Sequence, residues 1–176
     1  KKDTLLNLIK EEDINIFGTS AKYLDSLRNE EINYKATNKL DSLRCILSTG
    51  SPLISDTFDY VYKNIKSDVH LASISGGTDI VSCFVAGNPN LPVFSGEIQC
   101  KCLGVDVDVF DEHGQSTGDK GELVCKNSLP SMPIGFWKDK QNQAYIDTYF
   151  KTYPNTWSQG DFAKITNNKG IVIYGR

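Results

Sequence analysis

Between residues 14 and 74, short apolar runs alternate with segments whose apolar residues recur at helical spacing, an order that few folds accommodate. Ile14 to Phe17 is the first run. Gly18-Thr19-Ser20 then supplies a turn and an N-cap for a helix that sets Tyr23, Leu24 and Leu27 on one face. Cys45-Ile46-Leu47 is the second run, ended by Ser48-Thr49-Gly50-Ser51-Pro52; Phe58, Val61, Tyr62 and Ile65 repeat at helical spacing before a third run near Val69 to Ile74. Strands of one parallel sheet joined by crossover helices satisfy this order.

After Asp79 the helical period fades, and short β-rich runs separated by glycine and asparagine take over: Val81 to Val85, Ile98 to Cys102, Val105 to Phe110, Glu122 to Cys125, Phe162 to Ile165 and Ile171 to Tyr174. Leu129 to Pro154, rich in proline and polar residues, predicts a long surface excursion with a helical patch near Gln141 to Tyr149. The expected fold class is α/β: a partial parallel sheet with crossover helices in residues 1–80, followed in residues 81–176 by a small β-barrel-like subdomain or folded sheet.

A chain of 176 residues buries a core of its own, and its net charge of −3, with lysines scattered among acids, supplies no footprint for nucleic acid. No apolar run approaches the ~20 residues of a membrane-spanning helix, and the five cysteines lack the spacing of a disulfide scaffold, so a cytoplasmic protein with reduced thiols is expected. The absence of an initiating methionine and the stop at Arg176, just past the run Ile171 to Tyr174, predict a piece of a longer polypeptide.

Two constellations carry chemistry. Ser75-Gly76-Gly77-Thr78-Asp79 follows a buried strand at the carboxyl edge of the expected parallel sheet, where ligands gather. Two glycines let backbone approach a ligand, a threonine holds a phosphate oxygen, and the adjacent carboxylate binds Mg²⁺; a plain glycine turn fits the same residues. The second is Trp157-Ser158-Gln159-Gly160-Asp161 with the hairpin that follows, whose loop is Asn167-Asn168-Lys169-Gly170. A symmetric closure pairs residues whose numbers sum to 337, which sets Asp161 against Arg176 provided no bulge intervenes. Such a pair either grips the hydroxyls of a ribose or is a cross-strand salt bridge. Cys100 and Cys102 lack the partners of a zinc site, and His70 and His113 accompany no nucleophile motif. Asp106, Asp108, Asp111 and Glu112 alternate with valines as a half-exposed strand does, which sets calcium aside. Phe136, Trp137, Tyr145, Tyr149 and Phe150 either line a pocket or pack a core.

In this order the segments resemble the distal part of the large domain of the adenylate-forming superfamily, which includes acyl-CoA synthetases, luciferases and peptide-synthetase adenylation domains. Ser48-Thr49-Gly50-Ser51-Pro52 is similar to the adenine-side loop, Ser75 to Asp79 to the phosphate and magnesium segment, Trp157 to Asp161 to the ribose segment, and Tyr174-Gly175-Arg176 to the start of the segment closing that domain. The resemblance implies that Gly50, Ser51 and Pro52 cover the adenine, Thr78 the α-phosphate, Asp79 the metal, Asp161 and Arg176 the ribose, and Gly76 and Gly77 the acyl pocket. It further implies ATP/AMP, Mg²⁺ and coenzyme A as the full-length protein's cofactors and the remainder of its own chain as partner.

The wording of Leu71 to Ile80 and of Gly96-Glu97-Ile98-Gln99-Cys100 is closest to the branch that activates acetoacetate. Asp79 departs from the usual glutamate. Gly76 stands where acetate-activating relatives carry a tryptophan, and hydrogen in place of indole is expected to open room for a four-carbon keto acid, butyrate or another short acid. The family's lysine-ended phosphate loop and the small domain with its catalytic lysine have no counterpart in these residues, so the chain alone is expected to be inactive. The competing class is a non-catalytic α/β binding module. Its sign is Asp161 and Arg176 far apart, or Thr78 and Asp79 buried.

Overall fold

The computed structural model describes residues 3–176. They form two compact units, one of residues up to 74 with 87–99, the other of residues 75–86 with 100–176.

The first unit is built on three parallel strands in the order β1-β2-β3: β1 (Ile16–Ser20), β2 (Cys45–Thr49) and β3 (His70–Ser73). Ile16 lies opposite Cys45 and Cys45 opposite His70, so all three strands end at one edge, just before the 50–52 loop and the 75–79 segment. Helix α1 (Thr4–Glu11) precedes β1 and was not anticipated, although Leu6 and Ile9 sit one helical turn apart and both are buried. Helix α2 (Ala21–Asn29) makes the β1-to-β2 crossover; the Ser20 hydroxyl accepts the Tyr23 N–H at 3.2 Å, the expected cap. Helix α3 (Ser55–Tyr60) widens into a π-helical turn over Val61–Ile65 before β3. Leu24, Leu27, Ile46, Phe58, Val61 and Leu71 fill the core between sheet and helices, removing apolar surface from water.

Segment 87–99 is knotted by one buried amide. The Gln99 Nε2 donates to the carbonyls of Asn88, Leu91 and Pro92 at 3.0, 2.8 and 3.1 Å. Its Oε1 therefore faces outward from these acceptors and takes the Asn88 N–H at 3.0 Å and the His70 Nε2–H at 2.6 Å. His70, which has no nucleophile motif in sequence, is thus a structural donor.

The second unit holds two antiparallel sheets. One runs in the order β10-β9-β8-β7, from β7 (Val107–Phe110), β8 (Gly121–Cys125), β9 (Trp157–Ile165) and β10 (Ile171–Gly175). The other runs β4-β5-β6, from β4 (Ser75–Gly77), β5 (Ser82–Ala86) and β6 (Cys100–Lys101). The β-rich second half is therefore as expected, but as two open sheets; among the described residues no barrel closes. The excursion from 129 to 154 carries a 3₁₀ turn (Lys140–Asn142) and helix α4 (Gln143–Tyr149), where the helical patch was predicted.

Candidate nucleotide site

The hairpin of β9 and β10 pairs Asp161 with Arg176 by a route the sequence did not disclose. Thr166 N–H donates to the Gly170 carbonyl at 2.9 Å, so the loop is the three residues Asn167, Asn168 and Lys169, the last at φ +64°. That closure pairs Ile171 with Ile165, Val172 with Lys164 and Ile173 with Ala163, each summing to 336 and one short of the expected register. A bulge at Tyr174 then adds the missing residue, and Gly175 lies opposite Phe162. The next step brings the Arg176 Nε to 3.1 Å from Asp161 Oδ1. Two departures from the symmetric hairpin cancel.

Across β8, Glu122 pairs with Phe162 and Val124 with Ser158, so Leu123 alone faces the three residues Gln159, Gly160 and Asp161. The motif is a special bulge of three residues against one, and its glycine stands at φ +83°, which other residues adopt only with strain. Glu122 holds the bulge by accepting the Gly160 N–H at 2.6 Å. Burial, reinforced by the charge of Asp161, pushes the Glu122 carboxyl above the usual range against the opposing pull of that N–H.

Gln159 joins this bulge to the glycine segment. Its Nε2 donates to Asp161 Oδ2 at 2.7 Å and to the Gly76 carbonyl at 2.8 Å, while its Oε1 accepts the Trp157 indole N–H at 3.3 Å. Asp161 is 5 % exposed, with both oxygens engaged by donors, as a buried carboxylate requires. Gly76 and Gly77 form strand rather than turn, with Thr78 and Asp79 following as an exposed turn. The Tyr149 hydroxyl donates to Asp79 Oδ2. Burial first, and then that carboxylate, push the Tyr149 phenol up to about 12, which keeps its proton on oxygen.

A β-carbon at Gly76 would stand 2.1 Å from the Ser82 carbonyl oxygen of β5, so on that side the position is closed by backbone. At Gly77 the corresponding contact is the Gln159 Oε1 at 2.7 Å. Both glycines serve the close approach of protein segments to each other.

The 50–52 loop belongs to the first unit, at the carboxyl end of β2. Gly50 adopts φ +85° with open space where a side chain would project, Pro52 is exposed and Ser51 half-buried. Ser48, just before it, is fully buried with a hydroxyl that lacks a partner among the described residues.

The weaker candidates resolve plainly. Lys126 Nζ lies 3.0 Å from Asp108 and 3.6 Å from Asp106, a surface ion cluster, and among the described residues no group of three or more metal-type ligands exists. Tyr145, Tyr149 and Phe150 pack around Trp157, with Phe136 against Tyr145 and Tyr149, whereas Trp137 is exposed. The roles of Glu122, Gln159 and Tyr149 were missed: each acts through a hydrogen bond to a partner at least 38 residues away, Gly160, Gly76 and Asp79 respectively, and no local pattern signals it.

The chain is 54 % identical over 162 residues to the acetoacetyl-coenzyme A synthetase of Rhizobium meliloti (strain 1021), covering 92 % of the chain and 25 % of that protein. It is 45 % identical over 176 residues to the acetoacetyl-CoA synthetase of Gallus gallus, covering 99 % of the chain and 26 % of the relative. The solved acetoacetyl-CoA synthetase from Streptomyces lividans matches with a TM-score of 0.89 and 38 % identity over 99 % of the chain and 28 % of that structure. The anthranilate CoA ligase AuaEII in complex with anthranoyl-AMP shares the fold at a TM-score of 0.82 and 15 % identity, over 99 % of the chain and 32 % of that structure. No protein-family model matches. The chain is thus homologous, nearly end to end, to one segment of acetoacetyl-CoA synthetases, and spans about a quarter (25 and 26 %) of the length of the curated relatives it matches. Among the described residues no helix is long and apolar enough to cross a membrane.

Proposed function

We propose that this chain is the nucleotide-binding segment of an AMP-forming acetoacetate–CoA ligase. The observation that carries the reading is the Gln159 amide, which brings the Gly76-Gly77-Thr78-Asp79 segment and the Asp161–Arg176 pair into one hydrogen-bonded site. A binding module with unrelated turns predicts the opposite, with these pairs apart or the Thr78-Asp79 turn buried.

In the proposed reaction a carboxylate oxygen of acetoacetate attacks the α-phosphorus of ATP and pyrophosphate leaves; the CoA sulfur then attacks the acyl carbon and AMP leaves. Asp161, held by Gln159, and Arg176 bind the ribose hydroxyls, so the α-phosphorus is presented in one orientation. Thr78 supplies a hydroxyl and an N–H to a phosphate oxygen, and Gly50 to Pro52 cover the adenine. Asp79 suits Mg²⁺: it is an exposed hard oxygen donor standing without a ligand cage, and this ion is commonly bound by one or two carboxylates plus substrate phosphates. When bound, the ion neutralises phosphate charge. The remainder of the full-length chain supplies the other groups, and the relatives' identity supports acetoacetate as the acid.

The test is pyrophosphate release by the full-length protein with Mg-ATP and CoA and with acetoacetate, acetate, butyrate or no acid. Acetoacetate is expected to be preferred, and Asp161→Asn is expected to raise the KM for ATP by about tenfold, as loss of a charge-assisted hydrogen bond does. Preference for another acid sinks the substrate and keeps the chemistry. A folded protein without acid-dependent release leaves the binding module standing.

A further inference from the structure

We infer that Tyr149 is the positioning residue of the Asp79 carboxylate, and that the buried indole of Trp157 sets this carboxylate and Asp161 to a common reference. The inference rests on the reading above, in which Asp79 meets the cation carried by ATP. Asp79 lies in an exposed turn, where a short side chain left to itself samples several rotamers. The Tyr149 hydroxyl occupies Oδ2 and so fixes the carboxylate plane, leaving Oδ1 for a ligand.

Tyr149 has little freedom of its own. Its ring stacks on Trp157 with centroids 3.6 Å apart and planes 14° from parallel, and the edges of Phe136 and Tyr145 meet it at 6.0 and 5.8 Å. Trp157 is 1 % exposed, and its indole N–H is bonded to the Gln159 amide that holds Asp161. From Asp79 through Tyr149, Trp157 and Gln159 to Asp161 each contact is a hydrogen bond or a ring stack within one compact unit. Tyr149 touches no reacting atom; it acts through Asp79.

Tyr149→Phe removes the O–H and keeps the stack, so the fold is retained and the unfolding midpoint is the control. ATP binding to the full-length protein, without acid, is measured calorimetrically with Mg²⁺ and again with EDTA. Tyr149→Phe is expected to weaken binding about tenfold with Mg²⁺ and to leave binding in EDTA unchanged, the cost typical of losing a group that orients a metal ligand. Asp79→Asn is expected to abolish the Mg²⁺ advantage, and Tyr149→Phe is expected to add nothing in that background. Equal affinity with and without the hydroxyl overturns the inference, as does equal weakening in both buffers, which marks a structural role. If Asp79→Asn keeps the full Mg²⁺ advantage, the metal-facing reading of Asp79 fails and takes the inference with it.

Discussion

A β-carbon added at Gly76 meets the Ser82 carbonyl oxygen at 2.1 Å and the Cys83 Cα at 2.8 Å, both backbone atoms that cannot swing aside. Gly76→Ala is expected to push β4 from β5 and destabilise the protein by about 2 to 3 kcal/mol, in the range of overpacked interiors. Urea unfolding followed by tryptophan fluorescence measures this; an unchanged midpoint means the strands part without cost. At Gly76-Gly77 the backbone approaches a neighbouring strand, and composition does not distinguish a strand from a ligand. The hairpin was legible from alternation and a polar loop, but Asp161 meets Arg176 only because a three-residue loop and the bulge at Tyr174, both unread in the sequence, offset each other. Gln159 was not legible, because a side-chain amide has no pattern that names its distant acceptor.

At the scale of elements, the parallel strands and crossover helices of the first unit were readable because their apolar residues repeat with the period of the element that buries them. Bulges leave no such mark: one residue more at Tyr174, and two more in Gln159-Gly160-Asp161, alter register without altering periodicity. Helix α4 is short and solvent-facing, with no fully buried residue, and its start is held by one side chain. Asp139 accepts the N–H groups of Ala144 and Tyr145 at 3.0 and 2.9 Å, satisfying donors that the first turn leaves open. Asp139→Ala is expected to cost about 1 kcal/mol and to speed amide exchange across 143–149 first. Because Tyr149 ends this helix, the same variant is expected to lose part of the Mg²⁺ advantage in ATP binding. Exchange unchanged across α4 places the hold elsewhere.

At the scale of the whole molecule, the chain is homologous to about a quarter (25 and 26 %) of the proteins it resembles, and the nucleotide contacts proposed for it are one part of a larger reaction centre. The 176-residue chain alone is expected to release no pyrophosphate in response to acetoacetate while showing a folded circular-dichroism spectrum; acid-dependent release from it contradicts this. The α/β order of the molecule was evident from the switch in hydrophobic period after Asp79, whereas the return of 87–99 to the first unit was not, since polar bonds of Gln99 to His70 and of Ser95 to Ser55 and Asp59 tie it there. The chain passes between the units at 74/75, 86/87 and 99/100. No single crossover in a gene, natural or made in the laboratory, exchanges either unit without part of the other: a chimera joined at one point inherits a strand or a loop from one parent and its seat from the other. Recombination inside 75–99 is therefore expected to be purged, and the stretch should pass between lineages as a linked block.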